Sequence, residues 1–133
     1  MLIIRQAQLV ALRPALEQEF EVVLTDWVQD RYPQLALGLP PGALARRVAA
    51  CSGRARQLGF TLKRDLAKFV DMDMRLGPAF ETAPGQAWMA AMLADTGLSP
   101  ASRLFRIESR LERLAAVAAD ATLESDDAAA TRR

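Results

Sequence analysis

Apolar residues recur at steps of three and four along most of this chain. Leu9, Leu12, Leu16, Phe20, Val23 and Trp27 form one such stripe over about residues 4–32, the period of an amphipathic helix. Pro14 falls inside it. A proline in a helix removes a hydrogen bond and crowds the preceding turn, so the pattern predicts a long first helix kinked or split there. "YPQLALGLPPG", Tyr32 to Gly42, reads as a loop. Leu44, Val48, Cys51, Ala55 and Leu58 mark a second helix over about 41–58, with Gly59 as its terminator. Gly53 inside that helix costs about 1 kcal/mol against alanine, which suggests a close helix contact. Thr61 is a suitable N-cap for a third helix. This helix buries Leu66, Phe69, Val70 and Met74 and stops at Gly77-Pro78. In the loop that follows, Phe80 is placed to fold back onto the core.

A short fourth helix, about 84–95, carries Trp88, Met89, Met92 and Leu93 inward. Ser99 and Pro100 open a fifth. In it Leu104, Ile107, Leu111 and Leu114 step 3-4-3, a seam suited to another helix. Self-association through this seam is one expectation. No run alternates with period two. The expected fold is therefore all-α: a compact bundle of about five helices in a single domain over 1–118. Residues 119–133 read as a frayed or disordered tail, with no large apolar residue after Leu123.

Composition narrows the function more than it defines it. The 133 residues are 51% hydrophobic and 25% charged, enough for one buried core. A net charge of +1 gives no strong field toward nucleic acid or anionic lipid. There is no histidine and one cysteine. The commonest general base and metal ligand are thus missing, as are an intrachain disulfide and a Cys-rich zinc site. The amino-terminal apolar run is too short and too soon charged for a signal peptide. No run approaches the roughly 20 residues of a membrane span. The expected location is the cytoplasm, away from the membrane.

Candidate chemistry centres on "FVDMDMRLGP", which sets Asp71 and Asp73 two residues apart. In a helix such positions point about 200° apart, so the two carboxylates cannot chelate one ion. Asp71 reaches Lys68 or Arg75 in solvent. Asp73 lies toward Leu66, Phe69 and Val70; if buried, it requires a donor, an arginine from another helix. The acidic first helix and the basic second one, with Arg46, Arg47, Arg54 and Arg56, look complementary, through internal pairing or through a partner. These arginines lack the overall basic charge or aromatic platform of a nucleic-acid binder. Cys51 reads as a small buried hydrophobe. No activating base, phosphate-cradling loop or cofactor site is evident, so no enzyme activity is expected.

Four segments carry a resemblance: "IRQAQLVAL", "FEVVLTDWV", "RARQLGFTLKRDLAKFVDMDMRLGPAF" and "AWMAAMLADTGLSPASRLFRI". The pattern residues are Ile4, Arg5 and Gln8; Gly59, Phe60, Thr61, Arg64, Asp65, Phe69 and Val70; Leu76, Gly77 and Phe80; Trp88 and Leu93. Over roughly residues 3–115 the chain resembles a family of small bacterial proteins encoded beside type VI secretion spike, adaptor and effector genes. The resemblance implies a non-enzymatic accessory protein that binds another protein, an effector, adaptor or spike component, in a chaperone- or adaptor-like role. The alternatives are an immunity protein against a neighbouring toxin and, further off, a small nucleic-acid-binding regulator. Arg5, Gln8, Arg46, Arg47, Arg54, Arg64 and Asp65 are the partner-binding candidates. Asp73, Gly59, Thr61, Gly77, Trp27 and Trp88 are the structural ones.

Overall fold

A computed structural model describes the backbone of residues 6–130 and the side chains of residues 17–121. The described chain is all-helical. Its elements are α1 (Gln6–Arg31), α2 (Pro33–Leu37), α3 (Ala43–Gln57), α4 (Lys63–Leu76), a 3-10 turn (Phe80–Thr82), α5 (Ala87–Leu93) and α6 (Pro100–Ala130). It divides into two compact units, Met1–Ala83 and Pro84–Arg133, where the sequence pattern suggests one domain over 1–118.

In the first unit α3 packs on both α1 and α4, α2 lies on α1, and the 3-10 turn lies on α4. α1 continues through Pro14 as one helix instead of splitting, since the loss of one backbone bond leaves its neighbours to carry the helix across. Its inward face differs from the expected stripe. Leu24 and Val28 are buried, while Val23 is 60% and Trp27 38% exposed. Both stripes satisfy helical spacing, and packing against α3 selects the one that begins a residue later. Trp27 is therefore not a core residue; the Arg31 guanidinium lies 5.4 Å from its ring centroid.

The Tyr32–Gly42 segment contains the short α2, because Pro33 at its first position already holds a helical φ. α3 ends at Leu58 with Gly59 at φ 94, a left-handed conformation that side chains resist. α4 begins one residue later than expected. Leu62 takes the extended cap conformation and no side-chain cap bond forms, so Thr61 stands outside the cap position and does not cap the helix. Gly77 (φ 112) ends α4, and its N–H donates to the Asp73 carbonyl at 3.0 Å.

Leu66, Phe69, Val70 and Met74 are all buried, and Phe80 folds back as expected. The Phe69 ring lies 5.5 Å from Phe60 and 5.2 Å from Phe80, both tilted, a geometry aromatic pairs favour. Gly53 is no contact point: a Cβ built there meets nothing within 4 Å. Gly53→Ala should therefore raise stability by about 1 kcal/mol through helix propensity alone. Thermal unfolding checks this, and a lowered Tm would show that Gly53 is needed for another reason.

In the second unit α5 packs on α6. Met89, Leu93, Leu104 and Ile107 are buried. Trp88 is half-buried; its indole N–H donates to Gln86 Oε1 at 2.9 Å, and the Arg110 guanidinium lies 4.3 Å from the ring centroid. The Ser99 hydroxyl accepts from the Ser102 N–H at 3.2 Å, so Ser99 caps α6 with Pro100 next in line. Buried Arg103 closes the α5–α6 turn by donating to the carbonyls of Leu98 (3.0 Å) and Leu93 (3.2 Å). α6 extends to Ala130. The alanines of its later turns favour helix. Among the described residues, no helix is long and apolar enough to cross a membrane.

Candidate functional site

The most unusual chemistry of the first unit is an ionic cluster in which two buried carboxylates meet two half-buried arginines. Asp73, near the end of α4, has no solvent exposure. Arg47 and Arg54 stand two turns apart on α3 and both reach it. Arg54 Nη2 donates to Asp73 Oδ1 at 2.7 Å and Arg47 Nε to Oδ2 at 3.1 Å. Arg47 Nη2 also donates to the Asp73 backbone carbonyl at 2.6 Å. The chain then turns at Gly77, and the Ala79 N–H donates to Asp73 Oδ1 at 2.9 Å. One turn later Glu81 enters, accepting from Arg54 Nε at 2.7 Å.

Two guanidiniums thus face two carboxylates, and one carboxylate ties α4, α3 and the following turn together. Burial works to lower the Arg54 pKa, but the Glu81 hydrogen bond and the nearby acidic charges outweigh it and hold it above its usual value. Asp73 Oδ1 accepts twice and Oδ2 once, leaving little lone-pair capacity for an ion or a substrate proton. The cluster is chemically a pin. Cys51 lies near it, fully buried. Desolvation, with Asp73 next, pushes its thiol pKa far above the ordinary range. It stays a protonated thiol, a poor nucleophile.

Asp71 points elsewhere, as helical geometry requires. It accepts from Arg31 Nε at 2.8 Å and from the Tyr32 hydroxyl, and pairs with Arg75 Nε at 3.2 Å. This ties the end of α1 to α4, so Asp71 is half-buried and shared between helices instead of solvated. Burial, followed by the bond to Asp71, raises the Tyr32 pKa. No group of three or more His, Cys, Asp or Glu side chains gathers to hold a metal among the described residues.

The expected partner-binding residues fall in three places. Arg47 and Arg54 are committed to the cluster, because Asp73 inside α4 demands donors. Asp65 is also inside, 2% exposed in the first turn of α4. The adjacent Arg64 Nε is 3.8 Å from its Oδ1, beyond hydrogen-bond range, and Arg64 itself is exposed. Arg5 and Gln8 lie outside the residues whose side chains are described. Arg46 is exposed and borders a groove of about 530 Å³ between α1 and α3. Val22, Ala45 and Ala49 line this groove, with Asp26 and Gln18 on its α1 side. Val22 is 61% exposed there. Among the described residues, the complementary charges of α1 and α3 pair internally through Arg56 Nη1 and Glu21 Oε1 at 3.0 Å.

Sequence reasoning missed Glu81 and the Arg31–Tyr32–Asp71 group. The available signal was the two-turn spacing of Arg47 and Arg54 opposite an inward aspartate. No protein-family profile matches the chain, and neither a curated protein nor a solved structure gives a significant match.

Proposed function

We propose that the chain is a non-enzymatic accessory protein of a type VI secretion cassette and binds another protein through the α1–α3 face. The cassette rests on the sequence resemblance. The binding mode rests on one observation: Val22, 61% exposed, lines the α1–α3 groove together with Ala45, Ala49 and Arg46. An apolar strip with a mixed-charge rim suits an amphipathic helix laid into a groove. The ionic cluster stiffens α3, one wall of that groove, from behind. The partner class is an effector, adaptor or spike component encoded nearby, and Arg46 would meet a carboxylate on it.

The test is a pull-down and titration of the full chain with the products of the adjacent genes. One of them binds, and Val22→Glu or Arg46→Glu weakens that binding about 30-fold, the effect of losing roughly 2 kcal/mol at a hot spot. Both variants remain folded, since both sites are exposed. Binding that ignores these changes would move the interface elsewhere; no binding by any neighbour would defeat the reading.

A further inference from the structure

α6 of the second unit has two parts. Its start is packed, with Leu104 and Ile107 buried. Beyond Leu111 the helix continues in solvent: every residue from 112 to 121 is exposed, including Leu114 at 49% and Val117 at 65%. A helical stretch without tertiary packing is marginal in water, so the extension calls for something to cover it.

The charges along α6 indicate what that is. On one side of α6 Arg106, Arg110 and Arg113 fall in its first half and Asp120, Glu124 and Asp127 in its later turns, while Glu108, Glu112 and Asp126 occupy positions turned away from that side. An isolated helix is stabilised by acids at its start and bases at its end; α6 has the reverse order. The same order is self-complementary in an antiparallel pair. With a two-fold axis near Val117, Arg106, Arg110 and Arg113 come level with Asp127, Glu124 and Asp120 of a second copy. A parallel pair would set like charges side by side. Arg106 and Arg113 are exposed and able to answer such charges. Leu111, Leu114 and Val117, at three-residue steps, provide the seam. The alanines at 115, 116, 118, 119 and 121 let two such helices approach closely.

We infer that the exposed part of α6 is a homodimerisation arm that pairs antiparallel with the same arm of a second chain. The interface is isologous, each end of the arm meeting the opposite end of its partner. Being partly electrostatic, it loosens as salt rises.

Sedimentation of the full chain across the micromolar range tests this. The expected mass is twice the 14.6 kDa of one chain. Leu114→Glu combined with Val117→Glu raises the dissociation constant at least tenfold. Circular dichroism verifies that the rest of the helical signal survives. Arg106→Glu with Arg113→Glu does the same, and adding Asp120→Lys with Asp127→Lys restores the dimer. A wild-type chain that stays monomeric overturns the inference and leaves the arm to a different protein. A dimer indifferent to both sets of changes overturns it as well, as does a charge reversal that is not rescued.

Discussion

Asp73→Ala costs the protein about 3 kcal/mol of folding stability and lowers its Tm by about 10 °C or more. The carboxylate accepts from Arg47, from Arg54 and from the Ala79 N–H, all within 3.1 Å. Removing it leaves two guanidiniums and a backbone N–H without that partner, and buried donors are costly to leave unmade. Breaking a buried ion pair typically costs about 3–5 kcal/mol. The lower end applies here because the Arg54 side chain is 29% exposed and retains Glu81. Asp73→Asn keeps the volume but loses the charge, and turns a donating amide toward a guanidinium. It should lie between wild type and alanine. Against a total of about 5–15 kcal/mol for a natural domain, the alanine variant is left with a small margin. Chemical denaturation with an unchanged m-value measures the effect; a shift below about 0.5 kcal/mol would mean that the cluster is dispensable.

Phe69→Ala is expected to be at least as damaging, about 3–5 kcal/mol, by a different mechanism. Phe69 is fully buried, with Phe60 and Phe80 on either side. Phe80 belongs to the turn that returns to α4, and Phe60 to the loop that enters it. Deleting the middle ring removes burial worth roughly 1.5–3 kcal/mol and leaves a cavity that two rings cannot easily close. Phe69→Leu fills most of the space and should cost markedly less. If leucine and alanine prove equally harmful, the loss is one of ring geometry and not of volume. If neither matters, the three rings are not the core of this unit.

Much of the helical layout is legible in the sequence because punctuation and period agree there. In α4 the inward residues, the Gly77-Pro78 stop and the inward set of Asp73 all follow from a 100° step per residue. Ser99-Pro100 marks the start of α6 for the same reason. Where two readings share one period, the sequence is silent. Phe20 can be followed by Val23 and Trp27 or by Leu24 and Val28, and only packing against α3 chooses the second pair. The cluster was half legible. An inward aspartate demands an arginine, but a long side chain can reach inward or into solvent from nearly the same backbone. The two-turn spacing puts Arg47 and Arg54 on one face, but it does not say whether their guanidiniums turn toward Asp73 or into solvent. Asp65 and Glu81 escaped for a related reason: carboxylates near helix ends usually face water.

The central structural claim is that Asp73 and the α3 arginines act as one coupled unit that holds the α1–α3 face in place. A double-mutant cycle on Asp73→Ala and Arg54→Ala, read by urea unfolding, tests it most directly. The double variant is expected to be at least about 1 kcal/mol more stable than the sum of the single losses predicts, within the range found for contacting residues. Strictly additive losses would show two independent side chains and contradict the claim.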